Sequence, residues 1–218
     1  MRVIITGATG MVGEGVLHIC LHHADMEEVL VIGRRSCEVK HAKLKEIILP
    51  DLFDLFPISS QLVGYDACYF CLGISSLGIS ADDYYRTTYS LTMHVGETLS
   101  QLNPQMTFCY ISGAGTDSTE KGGSRWARVK GKTENDLMKL PFRQVFAMRP
   151  GFIKSIKGMT KTNPFYKYVS WLFPIGRTLY PAGFVTLEEL SRAMINITQH
   201  GYQKQVLEGK DIIQLGRK

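Results

Sequence analysis

Short apolar runs alternate with longer amphipathic stretches along the first 150 residues. Short β-branched runs predict strands, and apolar residues recurring every three to four positions predict helices. The predicted strands are Arg2–Thr6, Val29–Ile32, Glu46–Leu49, Ala67–Leu72, Thr107–Ile111 and Gln144–Met148. The predicted helices are Met11–His23, a long helix from its cap at Ser80 to just before Pro104, and Arg125–Lys139. This alternation is typical of an α/β fold, a doubly wound parallel sheet with helices on both faces.

Beyond Gly151 the pattern changes to aromatic residues, lysines and prolines. A short helix is predicted with Asn163 as its cap and Pro164 at its first position, and another helix behind the capping box Thr186–Glu189. Two later apolar runs, Val206–Leu207 and Ile212–Leu215, predict closing strands. We expect one domain over 1–218, in which 151–218 forms a small C-terminal substrate lobe.

A glycine-rich turn, Thr6–Gly13, joins the first strand to the first helix. Its glycines are expected to permit a tight turn, to let a pyrophosphate approach the backbone, and to pack the helix closely on the strand. The free N–H groups of the helix N-terminus favour phosphate. A purely structural turn is the alternative. The context favours a dinucleotide site, with cofactor contacts from Gly7, Thr9, Gly10, Met11, Val12 and Gly13.

Two arginines, Arg34 and Arg35, follow the second strand, where an NAD-preferring site would carry an acid for the ribose 2′-hydroxyl. A guanidinium offers a planar donor fork that matches a phosphate, so the pair predicts NADP(H) as cofactor. Solvated surface arginines are the alternative interpretation. Leu52, at the end of the third strand, falls where the adenine is expected.

Taken together, these residues resemble the extended and atypical branch of the short-chain dehydrogenase/reductase superfamily over nearly the whole chain. The chain looks most similar to Tat-interacting-protein-like NADPH-binding oxidoreductases and to bacterial proteins labelled nucleoside-diphosphate-sugar epimerases. The resemblance implies a Rossmann fold. It also implies two further groups of cofactor contacts, Cys71, Leu72 and Gly73 beneath the ribose and pyrophosphate, and Pro150, Gly151 and Phe152 beside the nicotinamide.

The resemblance also implies catalytic residues. Ser112 lies in the region that supplies the family's catalytic hydroxyl, and Lys130 matches the lysine that holds the nicotinamide ribose. The family's general acid or base, a tyrosine four residues before that lysine, is replaced here by Trp126, whose indole N–H can donate a hydrogen bond but cannot exchange a proton near neutral pH. Thr116, Tyr84, Tyr85 and a water held by Lys130 are the candidate substitutes.

Two functions follow from these residues. The first is an NADP(H)-dependent oxidoreductase or epimerase-like enzyme acting on a small carbonyl or sugar-nucleotide substrate. The second, favoured by Trp126, is a regulatory or scaffold protein that kept the nucleotide site and lost the chemistry. A third and weaker interpretation is that the basic, aromatic C-terminal region binds a membrane surface or RNA.

Charge and cysteines complete the prediction. The net charge is +5, and the segment 137–187 contains eight Lys and Arg but no Asp or Glu, which suits an anionic small-molecule substrate. We expect no nucleic-acid partner and no transmembrane segment. We also expect no metal site, because Cys68 and Cys71 point to opposite sides of a strand and Glu14, His18 and His22 lack a further ligand. The odd count of five cysteines predicts free thiols and a cytoplasmic location.

Overall fold

A computed structural model describes residues 1–156, 158–159 and 173–217. Within them the strands are β1 (Arg2–Thr6), β2 (Glu28–Gly33), β3 (Leu44–Ile48), β4 (Ala67–Phe70), β5 (Thr107–Ile111), β6 (Gln144–Arg149), β7 (Phe152–Lys154), β8 (Phe184–Thr186) and β9 (Val206–Glu208). The helices are α1 (Met11–His22), α2 (Ala81–Tyr85), α3 (Leu91–Leu102), α4 (Arg125–Leu137), α5 (Phe173–Leu179), α6 (Leu187–His200) and α7 (Gly209–Gly216), with short 3-10 turns at Phe56–Leu62 and Pro181–Gly183.

The main sheet has the order β3-β2-β1-β4-β5-β6-β9, and its neighbouring strands pair in parallel throughout. One apolar core joins the sheet to α1, α6 and α7, and a second core joins its other face to α3 and the Phe56–Leu62 turn. The predicted doubly wound α/β fold is therefore confirmed. The strand order reverses between β1 and β4, and in such sheets ligands bind at the carboxyl ends of the strands beside this reversal.

The C-terminal end of the chain differs from the prediction. The strand predicted at Ile212–Leu215 is wrong, because these residues lie in α7, where Ile212 and Leu215 are buried at helical spacing and Asp211 closes a capping box with Glu208. The closing strand at Val206–Leu207 is confirmed as β9. A small second sheet of β7 and β8 was missed, since three-residue strands leave almost no pattern. The helix predicted at Asn163 and Pro164 lies outside the described residues.

The long helix after β4 contains an irregular turn. It begins as predicted at Ser80, whose hydroxyl accepts a hydrogen bond of 3.0 Å from the N–H of Asp83. Between α2 and α3, residues Arg86–Ser90 form a π-helical turn, in which the N–H of Leu91 donates to the carbonyl of Arg86 five residues earlier. Periodicity does not reveal such a turn, which widens the helix at one point.

Candidate functional site

The glycine turn at the end of β1 is a close-packed backbone structure. Gly7 has φ +73°, and a Cβ there would lie 2.6 Å from the backbone nitrogen of Leu72. A Cβ on Gly13 would overlap the carbonyl oxygen of Gly7, so only glycine lets α1 pack this closely on the turn. The N–H of Gly10 donates to the same carbonyl at 3.0 Å and closes the turn.

The first turn of α1 begins beside this structure. Gly10 is the N-cap of α1, and no side chain caps the helix. Within the described part of the chain, the N–H groups of Met11, Val12 and Gly13 have no side-chain acceptor, and the positive end of the helix dipole is available to an anion. This arrangement suits a pyrophosphate.

A cavity of about 430 Å³ opens from the glycine turn along the carboxyl ends of β1, β2, β3 and β4. Nine of the residues proposed from sequence as cofactor contacts line it: Gly7, Thr9, Gly10, Arg34, Arg35, Leu52, Cys71, Leu72 and Gly73. Sequence reasoning missed Phe53, Ile74, Arg86, Thr87 and Leu91, which also line it. The cavity thus gathers the loops after four strands and residues of the helix after β4, and it is large enough for the adenosine half of a dinucleotide.

The charges at this cavity are mostly positive. Arg34 and Arg35 are exposed, and within the described part of the chain neither guanidinium forms an ion pair or a side-chain hydrogen bond. Asp51 is the carboxylate among the lining residues, and it accepts a hydrogen bond of 2.9 Å from the N–H of Phe53. Burial raises the pKa of the Cys71 thiol to about 12, so this lining cysteine is neutral and unreactive near neutral pH.

Lys130 lies on α4 at the carboxyl end of β5. Its ammonium donates to the carbonyl oxygens of Ser112 at 2.5 Å and Ile111 at 3.4 Å. Burial lowers its pKa to about 8, while the nearby carboxylate of Glu134 acts in the opposite direction. Gly131 places the helix here, because a Cβ on it would overlap the carbonyl of Asp117 in the loop after β5.

The two candidate catalytic hydroxyls both donate to main-chain carbonyls. The Oγ of Ser112 donates to the carbonyl of Met148 on β6 at 3.1 Å, and the Oγ1 of Thr116 donates to that of Gly113 at 2.8 Å. Both residues are buried. In these positions the hydroxyls tie the loop after β5 together, and a substrate oxygen would compete with these carbonyls for their protons.

Trp126 takes the position on α4 one turn before Lys130. Its ring lies against Gly115, since a Cβ on that glycine would be 3.5 Å from Cη2 of the indole. Of the tyrosines considered as substitutes, Tyr84 is buried, which raises its pKa, and Tyr85 packs its ring on Tyr89 at 4.8 Å. Neither tyrosine lines the cavity at the glycine turn.

The Arg149–Phe152 turn is fixed by a buried ion pair. The guanidinium of Arg149 binds both carboxylate oxygens of Glu134, with its Nε 3.0 Å from Oε1, and lies 3.3 Å from Glu208. The carbonyl of Pro150 accepts from the N–H of Ala114 at 2.8 Å, and Gly151 packs on the backbone of Gly183. Arg149 is therefore a structural cation that positions the loop after β5 beside this turn.

Three aromatic rings of the C-terminal part pack together beside the Arg149–Phe152 turn. The ring of Phe152 lies 6.2 Å from that of Phe173 and 5.7 Å from that of Phe184, and the ammonium of Lys154 lies 5.0 Å from the ring of Phe173. Arg177 is paired with Glu189 at 2.5 Å. The side chains packed around Phe152 are thus mainly aromatic, and Lys154 contacts them from one side.

The sites discounted from sequence have ordinary surroundings. Cys68 belongs to one hydrophobic core and Cys71 packs on the other, and all five cysteines are free thiols. His18 and His22 pack their rings 4.5 Å apart on α1. Among the described residues, no group of His, Cys, Asp and Glu is arranged to hold a metal ion, and no helix is long and apolar enough to span a membrane.

Comparison with known proteins gives a family and two curated relatives. The profile of the NAD dependent epimerase/dehydratase family matches residues 3–122, which confirms the resemblance to extended short-chain dehydrogenases/reductases. The chain is 23% identical over 154 residues to the protein FMP52, mitochondrial, of Meyerozyma guilliermondii, covering 70% of this chain but only 65% of that relative. It is 21% identical over 215 residues to FMP52-1, mitochondrial, of Scheffersomyces stipitis, covering 94% and 91%.

These relatives correct one expectation. The predicted cytoplasmic location is wrong by this comparison, because both relatives are named mitochondrial. Free thiols had suggested a reducing compartment, and that signal does not distinguish one such compartment from another.

Among solved structures, the UDP-glucuronic acid 4-epimerase of Bacillus cereus, in complex with NAD, has a similar fold. The TM-score is 0.66 at 15% identity, and the alignment covers all of this chain and 83% of the epimerase. Similarity at this level of identity establishes the fold alone.

Proposed function

The chain belongs to the NAD dependent epimerase/dehydratase family, and from that premise we propose that it binds NADP(H) and acts as an oxidoreductase or epimerase-like enzyme on a small carbonyl or sugar-nucleotide substrate. One observation carries the proposal: the cavity of about 430 Å³ at the strand-order reversal, lined by the glycine turn and by Arg34 and Arg35. Backbone donors of the glycine turn and two guanidiniums that have no ion pair among the described residues suit a phosphorylated dinucleotide.

The described residues fit this cofactor in three parts. The glycine turn and the first turn of α1, with Thr9, would hold the pyrophosphate. Leu52 would pack on the adenine, and the loop of Cys71, Leu72 and Gly73 would lie beneath the ribose. Arg34 and Arg35 would bind the 2′-phosphate. No side chain has to move out of an ion pair for this, because neither arginine has one within the described residues.

The reaction half would lie at the carboxyl ends of β5 and β6. The nicotinamide supplies or accepts a hydride when it is bound. Lys130 would hold its ribose through an ammonium that is already oriented by the carbonyl of Ser112. Pro150, Gly151 and Phe152 would border the ring, and the hydroxyl of Ser112 or Thr116 would donate to the substrate oxygen. The residues from 151 onward would form the substrate lobe.

Ion pairs among the described residues limit the case for an anionic substrate. Of the cations in the segment 137–187, Arg149 is neutralised by Glu134 and Arg177 by Glu189. Lys154 is exposed, and among the described residues its ammonium contacts the ring of Phe173 and no carboxylate. We assign any recognition of a substrate anion by the described part of the lobe to Lys154.

Trp126 favours a second candidate function, an NADPH-binding regulatory or scaffold protein without turnover. The indole stands where the family's proton donor is expected, and neither tyrosine considered as a substitute lines the cavity at the glycine turn. Such a protein would share the nucleotide half of the site with the enzyme and differ from it in the reaction half alone.

Nucleotide titration tests the proposal. The purified protein is titrated with NADPH, NADP⁺, NADH and NAD⁺, with the fluorescence of its two tryptophans as readout. We expect tight binding of the phosphorylated pair, and a loss of about 10-fold or more from Arg34→Ala or Arg35→Ala, since each removes a charge-assisted contact. Arg192→Ala, which changes an exposed arginine paired with Glu188 on α6, is the control and should bind like the wild type. Absence of binding for all four nucleotides would overturn the proposal.

A further inference from the structure

A third arginine, Arg86, lines the same cavity as Arg34 and Arg35. It comes from a different part of the chain, at the start of the π-helical turn Arg86–Ser90, some fifty residues after the arginine pair. Nothing in the sequence pattern marks it, because it stands in a helix that reads as a continuous amphipathic stretch.

The π-helical turn explains its position. The N–H of Leu91 donates to the carbonyl of Arg86, so these residues lie five apart within a single widened turn. Both of them line the cavity, together with Thr87. Such turns are rare and occur frequently at functional sites, because they displace one residue from the regular helix surface.

Phe53 supports the Arg86 side chain. The guanidinium carbon lies 5.4 Å from the centre of the Phe53 ring. The Phe53 ring also packs against the ring of His94, with their centres 5.7 Å apart. Within the described residues Arg86 has no ion pair and no side-chain hydrogen bond. A guanidinium that rests on an aromatic ring keeps its in-plane N–H donors free for an oxyanion.

The charges of the cavity are unbalanced as a result. Arg34, Arg35 and Arg86 contribute three positive charges, and Asp51 contributes one negative charge, so the lining side chains carry a net charge of +2. A phosphate monoester carries roughly −1.5 to −2 at neutral pH. A bound pyrophosphate would offset charge at the glycine turn, and a ribose 2′-phosphate would offset the guanidiniums, whereas an unphosphorylated ribose would bring no negative charge to them.

We propose that Arg86, placed by the π-helical turn and supported by the ring of Phe53, is the third guanidinium of a cluster that binds the adenosine 2′-phosphate and so selects NADP(H) over NAD(H). The inference rests on the proposed function, because it concerns the same cavity. It adds a specificity-determining residue from the helical segment after β4, outside the β1-α1-β2 unit that precedes Arg34 and Arg35.

The test uses two nucleotide fragments that lack the nicotinamide, 2′,5′-ADP and 5′-ADP, whose binding is measured by calorimetry. We expect Arg86→Gln to weaken 2′,5′-ADP by about 10-fold or more and 5′-ADP by less than about twofold, because only the first carries the 2′-phosphate. Phe53→Leu should give a smaller loss in the same direction. Arg192→Gln is the control and should bind both fragments like the wild type.

The outcomes distinguish failure of the proposed function from failure of the Arg86 assignment alone. If the wild-type protein binds neither fragment, the proposed function fails and the inference fails with it. If the wild type prefers 2′,5′-ADP and Arg86→Gln leaves that preference unchanged, or weakens both fragments equally, the assignment of Arg86 is wrong while the proposed function stands. Thermal unfolding of each variant identifies any loss that comes from a disturbed helix, and Arg86→Lys, which keeps the charge, should retain part of the preference.

Discussion

The two halves of the proposed site differ in what their polar groups contact. The nucleotide half is made of backbone and free cations: a glycine turn, an uncapped helix N-terminus, and Arg34 and Arg35 without partners among the described residues. In the reaction half, the polar side chains already contact the protein itself. Ser112 and Thr116 donate to main-chain carbonyls, and Lys130 donates to two more.

This difference teaches which features of such a site are tied to the fold. The glycines of the nucleotide half are also needed for packing α1 on β1, so the turn cannot change without disturbing the core. Trp126, which stands where the resemblance implies a catalytic tyrosine, is a side chain on helix α4, and we expect its substitution to leave the backbone intact. Nucleotide binding and chemistry can therefore be lost separately, and three changes test this separation.

The largest effect is expected from Gly13→Ala in the nucleotide half. The new Cβ would overlap the carbonyl oxygen of Gly7 and push α1 away from the turn. We expect the free energy of unfolding to fall by about 3 kcal/mol and NADPH binding to become undetectable, because the helix N-terminus moves away from the pyrophosphate site. Urea denaturation and fluorescence titration measure the two effects.

Gly123→Ala is the matched control, because a Cβ there meets no atom within 4 Å. It should keep both the stability and the NADPH affinity of the wild type. A Gly13→Ala protein that binds NADPH normally would show that the turn is only a structural element.

The next effect concerns the reaction half. Trp126→Tyr restores a proton donor one turn before Lys130, and general acid catalysis contributes roughly 10²-fold or more. We expect NADPH oxidation with the model carbonyl 4-nitrobenzaldehyde to rise by about 10²-fold, with NADPH affinity unchanged. The rise should be absent from Trp126→Phe, which removes the indole without adding a donor. Loss of activity in Trp126→Tyr would instead show that the indole takes part in a working alternative mechanism.

The smallest effect is the pH dependence contributed by Lys130. Its folded-state pKa of about 8 lies below the ordinary value of 10.5, so between these pH values the unfolded chain holds a proton that the folded chain has released. Stability from this group therefore rises with pH across that window. The difference in unfolding free energy between the wild type and Lys130→Met should shift in favour of the wild type by about 2 kcal/mol from pH 7 to pH 10.

Lys132→Met provides the contrast on the same helix. Its ammonium is paired with Asp136 at 2.8 Å, which raises its pKa above the ordinary value. The difference in unfolding free energy between the wild type and Lys132→Met should stay nearly constant from pH 7 to pH 10. A flat result for Lys130→Met as well would mean that Lys130 is solvated and does not have the buried environment that the site requires.

The charge of a segment along the chain does not show which of its cations are paired. The segment 137–187 has no acidic residue, and from sequence it looks strongly basic. In three dimensions, Glu134 and Glu208 meet Arg149, Asp136 meets Lys139, and Glu189 meets Arg177. These carboxylates come from outside the segment, so counting along the chain could not find them.

The sequence by itself determined the sheet, the glycine turn and nine of the lining residues, because these depend on local periodicity and on turn chemistry within a few residues. It placed Ser80 and the Thr186–Glu189 capping box correctly for the same reason. Only the tertiary structure decided that Ile212–Leu215 is helical, that Arg86 and Phe53 border the cavity, and that Ser112 and Thr116 donate to carbonyls. Those outcomes depend on contacts between residues far apart in the chain, which the pattern of a single segment does not contain.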